Sequence, residues 1–413
     1  MTAVGRTVNV KLAYLRRPPG EMMKPSHLLK ATAIALFCLT GASASAQSSV
    51  TLYGIVDDAL VYANNQQGHS NFYTRSGNVS ASRFGLRGSE PLGGTTSAIF
   101  DLQEGFDIDS GKESSSGLIF NRQAFVGLQD TRAGTLTLGR QYSAYYQILG
   151  GLGPVGYLTG ATGAHPGDLD ALDTTVRLNN SVQYVTPLLS GFSAAVQYAF
   201  GEIPGTLQRG SSISSGIKYA NGPFAIGAAY LRLYNTGNVQ ALDPNASGSY
   251  GSSSVTTGFV SAHDVQHVGA AATYKLGRAL LGLTYTNVRF KPGNNSLFTD
   301  TAVFNTYGAI AHFDIAPQFD AAIGYSYTRA SASNGISDSA RYHQVSLKES
   351  YHFSKRTALY ALQAYQHASG QTLGAAGRGQ IVNATATVGD SQNSTPASGS
   401  NQFVGMFGIV HNF

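Results

Sequence analysis

Arginine is the residue whose placement promises chemistry in this chain. In SRFGLRG, Arg83 and Arg87 are four apart, so in an extended strand they share one face while Phe84 and Leu86 take the other. Arg177 has the parity of Asn179, Ser181 and Gln183, opposite Val176, Leu178, Val182 and Tyr184. Arg122 is an odd step from Phe125 and is expected on the face opposite to it. Arg140, in LGRQY, has the parity of Leu136 and Leu138 and is expected at the outer end of its strand. A guanidinium keeps its charge at any working pH and offers a fork of donors to anions. A polar wall carrying several is therefore a means of holding or sorting ions. The connection 142–176 supplies the opposite charge: after Gly150-Gly151-Leu152-Gly153-Pro154, Gly160 and Gly163 come Asp168, Asp170 and Asp173. By themselves these acids read equally well as solvated loop tips, with the arginines paired locally.

Other chemistries find little support. His263 and His267 flank Asp264, but in a strand the two histidines are ~13 Å apart, too far to chelate one ion. No nucleotide-binding loop, zinc signature or acyl-transfer motif is present. The sole cysteine, Cys38, falls in an export segment, so the mature chain has no thiol nucleophile, thiolate ligand or disulfide. Neither catalytic residues nor a cofactor or metal site is expected.

That export segment spans residues 24–46, with Lys24 and Lys30, the apolar run 31–39 and the small-residue site Ala44-Ser45-Ala46. Its apolar run is far short of the ~20 residues that cross a bilayer. The segment is complete if translation starts at Met23, so residues 1–22 read as an over-extended start. Removing 1–46 takes away six basic residues and one acidic one, which leaves 21 of each from the original 27 and 22. The high isoelectric point of the whole chain thus disappears on maturation, and with it any basic patch for nucleic acid.

The elements that must carry the arginines are strands, and the fold class is all-β. Phe192, Ala194, Val196, Tyr198 and Phe200 alternate with small or polar residues, as do Phe319, Ala321, Ile323, Tyr325 and Tyr327. The last stretch, NQFVGMFGIVHNF, puts Phe403, Phe407, Ile409, His411 and Phe413 on one parity and ends on an aromatic. A terminal strand without a polar tail needs a neighbour for its edge, and the stretch 49–63 is the candidate. The recurring runs approach the ~9–11 residues of a tilted membrane strand. The 23 Tyr and 20 Phe could furnish interfacial girdles. Counting by alternation gives sixteen strands, the first two at 49–63 and 79–89, joined by seven short turns and eight longer connections. Sixteen strands close around an aqueous lumen.

Taken together, SSVTLYGIVDDAL, SRFGLRGSEPLGG, NNSVQYVTP, SKRTALYALQAY and the terminal Phe413 resemble the general porin family of Gram-negative outer membranes, as found in beta-proteobacteria. The resemblance implies a transmembrane antiparallel 16-stranded β-barrel over residues 47–413, with short periplasmic turns and long outer loops. It implies that the loop 142–176 folds into the lumen, setting Asp168, Asp170 and Asp173 opposite Arg83, Arg122 and Arg177 with Arg87 nearby. It also implies that Phe413 is the assembly signal read by the outer-membrane assembly machinery. Export through the general secretory pathway, a homotrimer, and contact with outer-membrane lipid and lipopolysaccharide follow from the same likeness. The function expected is passive diffusion of small hydrophilic solutes and ions, with a weak anion preference because arginines on rigid strands outweigh carboxylates on a loop. Two other readings are a barrel with a specific binding or enzymatic role, which requires a defined ligand or turnover, and a secreted β-rich adhesin, which would stay soluble without detergent.

Overall fold

The computed structural model describes residues 48–237, 242, 246–247, 250, 253–391 and 396–413; the expected export segment 24–46 and the residues before it lie outside the described part. Sixteen antiparallel strands close a barrel. In chain order they are β1 (Ser49–Gln66), β2 (Arg83–Gly93), β3 (Thr96–Asp107), β4 (Gln123–Asp130), β5 (Gly134–Tyr142), β6 (Arg177–Val185), β7 (Phe192–Ala199) and β8 (Ser212–Asn221). There follow β9 (Phe224–Tyr234), β10 (Asp264–Leu276), β11 (Ala279–Lys291), β12 (Ala302–Ala316), β13 (Phe319–Ala330), β14 (Arg341–His352), β15 (Thr357–Ser369) and β16 (Asn401–Asn412). Each pairs with its neighbour in sequence, and β1 pairs with β16 from Ile55↔Asn412 to Ala63↔Val404, which closes the ring.

The closure runs to the last residue. Phe413 and Gly54 exchange backbone hydrogen bonds at 3.0 and 3.1 Å. The Phe413 ring lies over Gly54, where a Cβ would come within 2.3 Å of it.

Side chains alternate as a half-lipid sheet requires. Leu86, Leu128, Leu138, Leu283, Ile323 and Ile409 are exposed on the outer face. Gln183, Gln197, Thr286, Thr328, Gln344 and Gln366 are buried inside. Tyr285, Tyr307 and Tyr327 stand in register on three adjacent strands, so Tyr serves as girdle aromatic in a chain without Trp.

Among the described residues the wall is interrupted once. Sequence alternation suggests a long first connection over 64–78. Instead β1 runs on to Gln66, turns at Gln67-Gly68, and pairs with a returning strand, His69–Ser76. β1 then pairs with β2 from Ser49↔Ser89 to Ile55↔Arg83. Residues 77–82, between the two, leave the wall and enter the lumen. The cause is Asp57, 1% exposed, whose carboxylate accepts the backbone N–H groups of Val79 and Ser80 at 2.6 and 2.7 Å and the Tyr360 hydroxyl. Ser82 completes the clamp, accepting the Asp57 N–H at 3.1 Å and donating to its carbonyl at 3.0 Å.

One side of the lumen is filled. Phe259, from the connection after β9, packs on Phe290, Phe298 and Phe304 with ring centroids 5.4, 5.4 and 5.7 Å away. Leu231, Leu233 and Val265 join this apolar mass. Open space is left against β1–β6 and β14–β16.

Replacing Asp57 by Ala should strand two buried N–H donors, at ~1–3 kcal/mol each. The expected result is a thermal midpoint several degrees lower for the purified barrel in detergent, with Asp57→Asn, which keeps an acceptor oxygen, intermediate.

Candidate functional site

The lumenal site begins with a loop that the wall is shaped to receive. After β5 the chain turns inward through three short helices, α1 (Ala144–Leu149), α2 (Val155–Leu158) and α3 (Gly160–Gly163). The Ser143 Oγ caps α1 by accepting the Tyr146 N–H at 3.1 Å. Wall side chains satisfy two more of its orphan donors: Gln197 accepts from Ala144 at 3.0 Å and Ser214 from Tyr145 at 2.8 Å. The buried face of α1 lies on a row of small residues, Gly216, Ala229 and Gly269, in register across β8, β9 and β10. A Cβ on Gly269 would sit 2.6 Å from the Tyr145 hydroxyl, so glycine there is what permits the approach. Further along, Gln344 donates to the Ala164 and Thr162 carbonyls at 2.8 and 3.1 Å, and Ser346 to that of Thr162 at 2.5 Å.

Between this loop, the inward segment 77–82 and the wall lies a cavity of about 780 Å³. Its cations are Arg75, Arg83, Arg122 and Arg177, and its carboxylates Asp107, Asp173 and Asp390. The Arg83 guanidinium donates to the Ala81 carbonyl at 3.0 Å and the Ser80 Oγ at 3.3 Å, which ties it to the inward segment. Arg122 donates from Nε to the Gln103 Oε1 at 3.0 Å. Arg122 and Arg177 both stand over the Tyr142 ring, at 5.8 and 5.6 Å from its centroid. Arg122 acts as a like charge on Arg83 and on Arg177. Among the described residues no ion pair joins Arg83 or Arg122 to a carboxylate.

Several residues reach their places against simple alternation. Phe125 is in register with Asp101 and Gly139 on the inner side, while Val126 and Leu128 are exposed outside. A regular strand would thus send Arg122 to lipid, at ~2–4 kcal/mol near the midplane. It enters the lumen because β4 starts only at Gln123 and Arg122 occupies the bend before it. Arg140, expected at the outer end with the parity of Leu136 and Leu138, is 9% exposed and turned inward. The register slips between Gly139, at φ 133°, and Gln141, where Arg140 faces two residues of β6, Asn179 and Asn180, so the pair leaves regular geometry there. The Arg140 Nε then donates to the Asn121 carbonyl at 2.8 Å, and its guanidinium meets the Asn179 amide oxygen, so it braces the wall without lining the cavity. The same irregularity, with Asn180 at φ 51°, buries Leu178, which alternation assigned to the face opposite Arg177. Arg87 points inward but is not part of the cavity lining; it stacks at 4.9 Å over Tyr53.

The three loop acids diverge. Asp173 lines the cavity and feels Arg122 and Arg177; burial nevertheless pushes its carboxyl above the usual range. Asp168 and Asp170 are not on the cavity surface. Asp168 is buried within the loop, accepting from the Asp173 N–H at 3.0 Å and from the Thr175 hydroxyl, and burial together with Asp173 holds it well above the usual carboxylate range. Asp170 is buried against the far wall, where the Thr286 hydroxyl donates at 2.7 Å and the His165 Nδ1 lies at 2.5 Å. Burial pushes Asp170 up, but His165 and Thr286 outweigh it and leave it below its ordinary value. Arg75, Asp107 and Asp390 were not singled out from the sequence. Asp107 shares parity with Asp101 and Gln103 and was legible; Arg75 and Asp390 lie where alternation indicated loop.

The opposite shifts of two neighbouring acids give opposite pH signs. Asp170, depressed in the folded state, stabilises the barrel above the ordinary carboxylate range and loses that contribution as pH falls through its lowered value. Asp168, raised, stabilises only as it protonates. At neutral pH, Asp170→Asn should therefore weaken the buried hydrogen bonds made with His165 and Thr286, at ~1–3 kcal/mol, and lower the thermal midpoint. Asp168→Asn should lower it much less, as a melting series in detergent would show.

Comparison with known proteins agrees with this geometry. The sequence model of a family described as Gram-negative porin matches residues 31–371. The chain is 31% identical over 366 residues to Outer membrane porin protein 32 of Delftia acidovorans, covering 85% of this chain and 93% of that one. It is 33% identical over 240 residues to an outer membrane porin protein of Bordetella pertussis, covering 52% of this chain and 62% of that one. Among solved structures, an anion-selective porin from Comamonas acidovorans aligns over 89% of this chain and 100% of its own, with TM-score 0.64 and 26% identity. OmpT of Vibrio cholerae, at 17% identity and TM-score 0.62, shares the fold. With a closed 16-stranded barrel, an apolar outer face and an arginine-lined lumen, the chain belongs to the Gram-negative porins and resides in the outer membrane.

Proposed function

We propose that the protein is a passive diffusion channel for small hydrophilic solutes and ions, with a weak preference for anions. The observation that carries this reading is the balance of charge around the main cavity: Arg75, Arg83, Arg122 and Arg177 against Asp107, Asp173 and Asp390. Two of the acids expected to oppose the arginines, Asp168 and Asp170, are buried in the loop and behind it, which tips the lumen further toward positive potential. The mature chain carries equal numbers of basic and acidic residues, so this local balance is what biases permeation. A solved neighbour is described as an anion-selective porin, in keeping with the same preference. The inward loop 142–176 serves as the constriction loop, with Arg83, Arg122, Arg177 and Asp173 at its narrow passage, Arg87 on the approach, and Arg140 as a brace.

The working unit is a homotrimer embedded in outer-membrane lipid and lipopolysaccharide, and Phe413 is the residue that the assembly machinery reads. The interlock of Phe413 with Gly54 supports that role, because the last residue completes the barrel seam. Deleting Phe413 should reduce the heat-sensitive trimer in outer-membrane fractions; undiminished trimer would contradict the assignment.

Ion preference is read from the reversal potential in a salt gradient across a planar bilayer. A charge 4 Å from a permeant anion in water contributes ~1 kcal/mol, a factor of about five. Arg83→Gln with Arg122→Gln should therefore move the permeability ratio several-fold toward cations at low salt and less at high salt, where screening is stronger. A ratio that does not move would place selectivity elsewhere.

A further inference from the structure

The lumen holds a second cavity, of about 300 Å³, on the short-turn side of the first. Val79, Ser80, Val155 and Gly156 border both, so the inward segment and α2 separate them. The second cavity is lined by Lys348, His352, Lys355 and Arg356, and no acidic residue is among its lining. These cations come from the inner face of β14 and from the turn between β14 and β15, reached from the arginine cluster across β1 and β16.

Lys348 is the informative member. It shares inward parity with Gln344 and Ser346, which bind the loop, and is partly buried. Asp320 is the carboxylate whose charge reaches it. Both oxygens of Asp320 are already engaged, one by the His312 Nε2 at 3.2 Å and the other by the His352 Nε2 at 2.5 Å. Among the described residues the Lys348 ammonium has no hydrogen bond and no ion pair. A partly desolvated ammonium with three unused donors, beside a second lysine and an arginine fork, is a site short of an anion.

We propose that this cavity is a second anion subsite, entered from the periplasmic end, that takes small dianions of the inorganic phosphate class. A dianion interacts with each fixed cation twice as strongly as chloride does, and its several oxygens can engage Lys348, Lys355 and Arg356 together. Anions leaving the arginine cluster pass between Val79-Ser80 and Val155-Gly156 and meet this site before the periplasm. The inference rests on the diffusion-channel reading and adds a binding step to it.

The test uses the purified mature protein in planar bilayers carrying potassium chloride, with inorganic phosphate added to one chamber at mildly alkaline pH. Because the mature chain has no cysteine, Ser331→Cys in an outer connection, reacted with an impermeant thiol reagent from one side, reports orientation. Phosphate on the periplasmic side is expected to reduce the chloride current saturably. Losing one charge-assisted contact, at ~1.5–3 kcal/mol, should raise the half-blocking concentration about tenfold or more in Lys348→Gln. The double variant Lys355→Gln, Arg356→Gln, which alters only exposed turn residues, should raise it as well. A conducting channel insensitive to phosphate overturns the subsite. So does block that persists unchanged in both variants and is lost in Arg83→Gln, Arg122→Gln, which would place the anion at the arginine cluster alone. Wild-type protein that inserts but gives no current steps overturns the channel reading itself.

Discussion

A sheet crossing hydrocarbon has no water to pair its edge, so every backbone N–H and C=O at membrane depth must find a partner within the chain. The pairing of β1 with β16 meets this demand, and the rest of the molecule depends on it. It explains why the last residue is engaged through its backbone and why Gly54 accepts an aromatic ring where a Cβ would collide. It also explains the treatment of the one interruption. Where residues 77–82 leave the wall, β1 is rejoined by a separate strand, His69–Ser76, and the donors released by the break are collected by the Asp57 carboxylate.

Once the ring is closed, the lumen becomes a space to be divided. On the β8–β10 side the wall presents small residues in register, and α1 lies against them. Apolar side chains from outer connections fill the mouth above β9–β12. What stays open is bounded by the opposite wall, where the arginines are. Their geometry costs local regularity: a bend before β4 for Arg122, a bulge in β6 beside Arg140, and a clamped inward segment for Arg83. Irregular backbone is tolerable here because it faces water and protein rather than lipid.

The divergence of the loop acids follows from the same partition. Asp170 is carried past the cavity to Thr286 and His165, where it fastens the loop to the wall. Asp168 closes the loop's own turn onto the Asp173 N–H and Thr175. Asp173 alone of the three reaches the cavity surface. A loop that narrows an aqueous passage must itself be held, and two of its three carboxylates are used in holding it.

The sequence by itself determined the strands, their number, their inward and outward faces through most of their length, and the closing role of the terminal strand. These rest on short-range physics: period-two alternation reports which side meets lipid, and a long apolar-faced edge must be paired. Arg83, Arg87 and Arg177 were placed inside on that basis alone. Alternation fails wherever one residue is added to a strand, since a single bulge flips every face beyond it, and neither Gly139 nor Asn180 announces a bulge in the sequence. Leu178 was misplaced for that reason, Arg140 leaves regular geometry beside the same bulge, and Arg122 enters the lumen although the rule pointed the other way. Which acids of the loop meet the arginines, that Arg75 and Asp390 join them, and that Lys348 faces a second cavity were decided by tertiary structure. Those positions depend on where a 34-residue span without repetitive pattern, 143–176, comes to rest against a wall formed by strands remote from it in the chain.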